Sequence, residues 1–165
     1  ACSEQHKLDA AAASFRRAAA LAPQSAELLF NLAATCGRLG RLDEAVAAYR
    51  RSVALKPDFA VAHYNLGTAL KDLQQLDEAA TSLRRAVALQ PGYAAAHANL
   101  GAVRQAQGHL DDAIACYRAA LAIMPTARAH LSLASALRAH GLLDAAAASL
   151  RDALDSGRFV AAPGI

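Results

Sequence analysis

The sequence predicts an all-α fold, a right-handed α-α superhelix (a solenoid) of stacked antiparallel helix pairs. The main observation is a period of 34 residues, which separates Pro23, Pro57, Pro91 and Pro125. A second is that Leu-Asp recurs in step with this period. A third is a column of small residues, described below. One helix pair cannot bury its apolar faces alone, so such repeats must stack to complete a core.

The period divides the chain into a half repeat, four repeats and a tail. The predicted repeats cover residues 26–59, 60–93, 94–126 and 127–157. The half repeat covers residues 1–25 and the tail covers residues 158–165. Because stacked repeats share a continuous core, residues 1–165 are expected to form a single solenoid domain.

The first helix of each pair carries a leucine followed by a small residue, which lets the paired helices approach closely. These positions are Leu32-Ala33, Leu66-Gly67, Leu100-Gly101 and Leu133-Ala134. A left-handed residue is expected where each first helix ends. That position holds Gly40, Gly108 and Gly141, with Gln74 as the exception.

Each second helix is predicted to start at a Leu-Asp pair, where Asp can cap the helix and favours its positive end. The pairs are Leu8-Asp9, Leu42-Asp43, Leu76-Asp77, Leu110-Asp111 and Leu143-Asp144. Helical spacing then predicts two buried columns on these helices. They are Ala11, Ala45, Ala79, Ala113 and Ala146, and Phe15, Tyr49, Leu83, Tyr117 and Leu150.

Composition and charge narrow the classes of function. The net charge is +3, from 17 basic and 14 acidic residues. This balance does not favour nucleic acid or a membrane surface as a partner. Alanine makes up more than a quarter of the chain, but no apolar run is long enough to span a bilayer. Alanine richness and the preference for arginine over lysine point to a GC-rich bacterial gene.

The three cysteines include no C-x-x-C pair and fit a reducing compartment, so we expect a cytoplasmic protein. Ala1-Cys2-Ser3 resembles the cleavage site of a bacterial lipoprotein. However, Cys2 lies 34 residues before Cys36 and is expected to share its packed position. By the repeat register, the chain starts within a helix, which suggests a processed or excised fragment.

Three segments carry a family resemblance: Phe30-Asn31-Leu32-Ala33, Tyr64-Asn65-Leu66-Gly67 and Ala98-Asn99-Leu100-Gly101. With the Leu-Asp-Glu-Ala segments, they resemble tetratricopeptide repeats (TPRs) over nearly the whole chain. More narrowly, Lys56-Pro57-Asp58-Phe59 leading to His63-Tyr64-Asn65-Leu66-Gly67 is similar to the TPR superhelix of O-linked N-acetylglucosamine transferases and their bacterial relatives.

In those transferases an asparagine ladder on the concave surface grips the backbone of an extended peptide. The resemblance implies this role for Asn31, Asn65 and Asn99, with Ser132 as the fourth member of the column. An amide offers a donor and an acceptor, which suit a peptide N–H and C=O. The alternative is that each Asn bonds to the neighbouring repeat. Further residues expected in the groove are Tyr64, Thr68, Lys71, Asp72 and Arg38, together with Phe30, Gln105 and Arg138.

The resemblance also disfavours one class of partner. Chaperone-binding TPR domains place Lys and Asn one turn apart in their first repeat to clamp two carboxylates. The corresponding row of this chain holds Phe30 and Ala34.

Three other patterns are expected to be structural. His63, His97 and His130 share a column, but helices pack about 8–10 Å apart whereas zinc ligands lie about 2.0–2.1 Å from one ion. Arginine recurs at Arg16, Arg50, Arg84, Arg118 and Arg151. This solvated ridge is too sparse for duplex phosphates, which are spaced about 1.7 Å along the axis. Arg104 stands in an otherwise apolar column and is expected to snorkel or to pair with Asp72 or Asp111.

The predicted function is a protein- or peptide-binding scaffold without enzymatic activity, because no catalytic constellation is found in the sequence. No metal or cofactor is expected. One alternative is the substrate-recruiting arm of a larger bacterial enzyme resembling a glycosyltransferase. Another is a structural solenoid that self-associates through its terminal faces, because the segment Ser156 to Ile165 contains Phe159 and Val160 but no polar capping helix.

Overall fold

The computed structural model describes residues 2–160, with side chains described over residues 4–156. This part of the chain forms nine α-helices joined by short turns. They are α1 Cys2–Leu21, α2 Ala26–Arg38, α3 Leu42–Leu55, α4 Ala60–Asp72, α5 Leu76–Leu89, α6 Ala94–Ala106, α7 Leu110–Ile123, α8 Ala127–His140 and α9 Leu143–Val160. The predicted all-α fold of adjacent helix pairs is confirmed.

The chain divides into two compact units. The N-terminal unit, Ala1–Leu89, holds α1 to α5, and the C-terminal unit, Gln90–Ile165, holds α6 to α9. Within each unit successive helices pack against one another, as α2 does on α3 and α8 does on α9. The handedness of the superhelix, the single domain and the repeat boundaries stay predictions.

The turns within the helix pairs use left-handed backbone at the predicted positions. Gly40, Gly108 and Gly141 have φ angles of 73°, 80° and 90°. Gln74 takes the same conformation at φ 60°, although a side chain disfavours it. The turn between the two helices of a pair therefore takes this backbone conformation at Gln74 even though the residue is not glycine.

Four second helices begin at the leucine of a Leu-Asp pair, as predicted, but the capping role of the aspartates is wrong. Asp43 and Asp111 lie in the first turns of α3 and α7, after the cap residues Arg41 and His109. Neither cap residue makes a side-chain capping bond. Both aspartates lie where a negative charge interacts favourably with the helix dipole, and Asp111 Oδ1 also lies 3.0 Å from His140 Nε2.

The pair Leu8-Asp9 does not begin a helix. It lies inside α1, which runs without a break from Cys2 to Leu21. The left-handed glycine of the later turns has no counterpart here, because His6 and Lys7 precede Leu8. Asp9 instead forms a 2.8 Å ion pair with Arg41 at the start of α3.

Small side chains dominate the core of both units. The predicted alanines are buried from Ala45 onward, and the small residues Ala33, Gly67, Gly101 and Ala134 are buried in the first helices. A Cβ at Gly67 would lie 2.6 Å from Leu83 Cγ, and one at Gly101 would lie 2.9 Å from the Tyr117 ring. These two glycines therefore permit the closest contacts within their helix pairs.

The predicted core is wrong at both ends. In α1, Ala12 rather than Ala11 is fully buried, and Phe15 is half-buried. In α9, Leu150 is 46% exposed, whereas Tyr117 at the equivalent position of α7 is buried under α8. The cover that α8 provides for α7 therefore accounts for the burial of Tyr117.

Some predictions fall outside the described residues. These are the packed side chain of Cys2, the Phe159 and Val160 side chains, and residues 161–165 of the tail. None of the helices that the structure describes is long and apolar enough to cross a membrane.

Candidate peptide-binding groove

First helices form the inner side of each unit. Among the described helices of each unit, two helices separated by one other helix approach closely only in the pairs α2 with α4 and α6 with α8. The second helices stay further apart, as α3 and α5 do. This agrees with the expectation that the first helices line a concave surface.

The predicted asparagine column lies on these helices. Asn31 on α2 is exposed and Asn65 on α4 is half-buried. Neither amide makes a hydrogen bond to another side chain or backbone group in the described part of the chain. In the N-terminal unit, the alternative that these asparagines bond to the neighbouring repeat therefore has no support.

A pocket of about 340 Å³ opens between α2 and α4 beside Asn65. Four of the predicted groove residues line it, namely Arg38, Asn65, Thr68 and Asp72. The remaining lining residues were not among the predicted groove residues, and they are Ala34, Gly37, Leu42, Tyr49 and Ala69. The pocket thus combines apolar walls with amide, hydroxyl and charged groups.

Tyr49 and Leu42 were missed because their spacing marks them as core positions of α3. Tyr49 is indeed buried, and burial raises the pKa of its phenol to about 12. Its hydroxyl therefore remains protonated at neutral pH. The sequence did contain one indication that α3 reaches the groove. Ala34 and Gly37 lie about one and two turns after Asn31, and because neither carries a large side chain they leave α3 accessible.

The charged groups at the pocket are partly paired. Arg38 Nη2 lies 3.5 Å from Glu4 Oε1, and both side chains are largely exposed. Lys71 Nζ lies 3.4 Å from Asp72 Oδ1. Exposed pairs of this kind contribute about 0–1 kcal/mol, so a ligand can displace them at little cost.

Tyr64 and Thr68 are less available than predicted. Both are half-buried, and the Thr68 hydroxyl donates to the Tyr64 carbonyl at 2.9 Å. Phe30 turns toward the repeat junction, where its ring centroid lies 5.0 Å from that of Phe59 and 5.8 Å from that of Tyr49. These residues support the groove wall.

In the C-terminal unit the corresponding polar groups interact with one another. Gln105 Nε2 donates to Ser135 Oγ at 3.2 Å, and the Tyr117 hydroxyl donates to Gln105 Oε1 at 3.1 Å. Ser132 Oγ donates to the Arg128 carbonyl at 3.1 Å. Asn99 is half-buried and also takes part in an interaction within the chain. Arg138 is exposed.

A larger cavity, of about 510 Å³, lies between α1 and the end of α2. Its lining includes Glu4, Gln5 and Leu8 from α1 and Arg38 from α2, but no asparagine of the column. We therefore take the smaller pocket beside Asn65 as the candidate site, because it alone of these two contains the predicted ladder residue.

The histidine column packs against the turns between repeats. His63 Nε2 donates to the Pro57 carbonyl at 3.1 Å, and His97 Nε2 donates to the Pro91 carbonyl at 3.0 Å. Burial lowers the pKa of His63, and the nearby Arg85 adds to this effect against the opposing hydrogen bond. No group of three or more metal-binding side chains is present among the residues whose side chains are described.

The arginine ridge is exposed, as predicted, and it also joins successive second helices. Arg16 and Glu44 form a 2.6 Å ion pair between α1 and α3. Arg50 and Glu78 form an equivalent 2.7 Å pair between α3 and α5. The predicted acid partners of Arg104 were wrong. Its guanidinium lies 3.6 Å from Asp112, which lies in the first turn of α7, the second helix of the same pair.

Comparisons with known proteins agree with this architecture. The TPR repeat model matches residues 36–74 and 67–108, and the tetratricopeptide repeat model matches residues 94–127. The crystal structure of MamA is similar at a TM-score of 0.92 and 30% sequence identity, over 96% of this chain and 93% of that chain. No protein among the curated sequences matches the chain.

Two other solved structures are similar at lower TM-scores. YrrB, a TPR protein with an unusual peptide-binding site, has a TM-score of 0.82 at 23% identity, over 93% of this chain and 79% of that chain. The first TPR of Spaghetti (RPAP3), bound to the HSP90 peptide SRMEEVD, has a TM-score of 0.69 at 27% identity. That match covers 72% of this chain and 94% of the RPAP3 chain.

Proposed function

Because the chain belongs to the tetratricopeptide repeat family, we propose that it is a non-enzymatic scaffold that binds an extended protein segment in its groove. The observation that carries this proposal is the pocket of about 340 Å³ beside Asn65. The Asn65 amide binds the backbone of the segment, and the adjacent pocket accepts one of its side chains. Asn31 contributes a second backbone contact on α2 of the same unit.

The chemistry of the pocket favours a segment without a strict sequence. Amide groups recognise any peptide backbone, since every residue except proline offers both N–H and C=O. The apolar lining from Ala34, Leu42 and Ala69 favours a small apolar side chain. Each hydrogen bond contributes about 0.5–1.5 kcal/mol, so a few such contacts alone give affinity in the millimolar to high-micromolar range.

The RPAP3 complex supports peptide binding by this fold, but the ligand proposed for this chain differs from the RPAP3 peptide. Its peptide SRMEEVD is acidic and ends in a carboxylate-bearing residue. Here the row that would hold a carboxylate clamp contains Phe30, which packs on Phe59, and Ala34, which lines the pocket. The proposed ligand is therefore held through its backbone rather than through paired carboxylates.

A second candidate function is the substrate-recruiting arm of a larger enzyme resembling a glycosyltransferase. It rests on the asparagine column and on the segment Lys56-Pro57-Asp58-Phe59. The same groove then presents a substrate to a catalytic domain. An open reading frame that continues past Ile165 into an α/β domain would favour this candidate, whereas a stop codon there would remove it.

The experiment is a binding measurement on a library of unstructured peptides, by fluorescence polarisation. We expect Asn31→Ala/Asn65→Ala to lose about tenfold or more in affinity, because two backbone contacts are removed. Gln24→Ala is the matched control, since it removes an exposed amide in the same unit but outside the groove. Helicity and melting are measured in parallel.

A second arm compares the units. Asn99→Ala/Ser132→Ala is expected to have a smaller effect, because both residues already interact within the chain. Equal binding by wild type and Asn31→Ala/Asn65→Ala would contradict the proposal and make the asparagine column structural.

A further inference from the structure

A stripe of apolar residues lies exposed on α9, the last helix that the structure describes. It consists of Leu143, Ala147, Leu150 and Leu154, whose spacing of four, three and four residues places them on one helix face. The three leucines are 65%, 46% and 67% exposed. We name these four residues the α9 stripe. Single exposed leucines are common on protein surfaces, but a continuous row on one helix face is typical of an interface.

The preceding repeat shows what such a stripe does. The equivalent positions of α7 are Leu110, Ile114, Tyr117 and Leu121, each 33 residues earlier. Ile114 and Tyr117 are buried in one cluster with Leu133 and Leu137 of α8, and Leu121 packs against that cluster. The same face therefore accepts a helix in α7, while the described residues supply no helix to cover it in α9.

Charged groups beside the α9 stripe indicate what covers it. Asp144 and Arg151 each follow a leucine of the stripe, so they lie on the same flank, seven residues apart. Both are exposed. Two earlier members of the arginine column are paired. Arg16 forms an ion pair with a glutamate of α3, and Arg50 forms one with a glutamate of α5. Arg151 bonds only to the Ala147 carbonyl within the described chain, at 3.4 Å.

A second copy of α9 in antiparallel orientation fits both features. Leu143 then lies opposite Leu154 of the second copy, and Ala147 lies opposite Leu150 of the second copy. Asp144 lies beside Arg151 of the second copy, and the two-fold axis repeats that pair. A parallel arrangement would instead keep these charges apart, because residues on the same flank of two parallel helices lie on opposite sides of the contact.

We propose that the chain forms a two-fold symmetric dimer through antiparallel contact of its α9 stripes. The spacing of the stripe is that of a short coiled-coil seam. One helix face is smaller than the roughly 1,200–2,000 Å² that stable complexes bury. The dimer is therefore reversible and concentration-dependent. This inference is independent of the proposed peptide binding, because it involves none of the groove residues.

Sedimentation equilibrium over a wide concentration range tests the dimer. Wild type is expected to shift from monomer to dimer, and Leu150→Asp is expected to weaken the dimer by about tenfold or more. Leu131→Asp is the matched control, because Leu131 is a 52% exposed leucine of α8 outside the stripe. A monomer at every concentration would overturn the proposal, as would a dimer that Leu150→Asp leaves unchanged.

Charge reversal tests the orientation without touching the apolar contact. Asp144→Arg is expected to weaken the dimer, since it places two arginines together, and Asp144→Arg/Arg151→Asp is expected to restore it. Failure of the double variant to restore the dimer would overturn the antiparallel arrangement. A different occupant is tested with a synthetic peptide of residues 127–140. If that helix binds the α9 stripe while the chain stays monomeric, the second copy is the wrong partner.

Discussion

The grooves of the two units differ in how their polar residues are used. In the N-terminal unit, the Asn65 amide faces a pocket and has no bonding partner among the described groups. In the C-terminal unit, Gln105 joins Ser135 to the Tyr117 hydroxyl, and Ser132 bonds to its own helix. The repeat places a polar residue on the groove, but its neighbours determine whether it can bind a ligand.

The largest expected effect concerns the close helix contact that both units share. Gly67→Ala and Gly101→Ala are each expected to lower the free energy of unfolding by about 1–3 kcal/mol, because overpacking exceeds the gain in helix propensity. The Gly67 Cβ would also lie 3.1 Å from the Ala79 carbonyl oxygen, which is backbone and cannot move aside. Urea denaturation followed by circular dichroism measures the change.

Gly37→Ala is the control for this prediction, because a Cβ at Gly37 would have no atom within 4 Å. It is expected to be neutral or slightly stabilising. If Gly67→Ala and Gly101→Ala were as stable as Gly37→Ala, the helix pairs would not require these close contacts.

A smaller effect should separate the two grooves directly. Gln105→Ala removes the acceptor of the partly buried Tyr117 hydroxyl and is expected to cost about 0.5–1.5 kcal/mol, the net contribution of one hydrogen bond. Burial raises the pKa of Tyr117, which is consistent with a neutral, hydrogen-bonded phenol. Arg38→Ala in the N-terminal groove removes only an exposed ion pair and is expected to cost less than about 1 kcal/mol. Thermal melting of both variants measures the difference, and equal losses would contradict the comparison.

The smallest effect is a pH dependence carried by the N-terminal unit. The pKa of His63 is lower in the folded chain than the unfolded value of about 6.5. Folding therefore favours the neutral ring. The resulting stability is present above that pH and is lost as the pH falls toward the folded pKa. His63→Gln keeps a donor for the Pro57 carbonyl but cannot titrate, and it is expected to reduce the loss.

Melting temperatures measured between about pH 7.5 and about pH 5 test this dependence. His6→Gln, at an exposed position of α1, controls for the general effect of removing a histidine. A slope unchanged by His63→Gln would show that His63 does not contribute. His130 of the C-terminal unit lacks the bond that His63 and His97 make to a proline carbonyl six residues earlier. Pro125 lies only five residues before His130, and the Nδ1 atom of His130 is buried without a hydrogen bond.

Sequence reasoning predicted the features that depend on the repeat alone. The left-handed turns were correct at Gly40, Gly108 and Gly141, and the starts of α3, α5, α7 and α9 fell at the Leu-Asp pairs. Both features are local, since they follow from residues a few positions apart.

The features that depend on neighbouring helices were not predictable. A period cannot show that Leu150 is 46% exposed in the described part of the chain or that α1 continues through Leu8. It also could not show that Tyr49 both packs in the core and lines the pocket, because small residues on α2 expose it. The candidate site was therefore predicted on α2 and α4 but not on α3.

The restriction of helix contacts to near neighbours has a kinetic consequence. Within each unit, every described helix touches only the next helix or the next but one. No described helix packs on a segment distant in sequence within its unit, so loop closure adds little to the folding barrier. During synthesis, α1 to α5 can pack before α9 leaves the ribosome, and loss of structure can begin at a terminal helix while the remaining pairs stay folded.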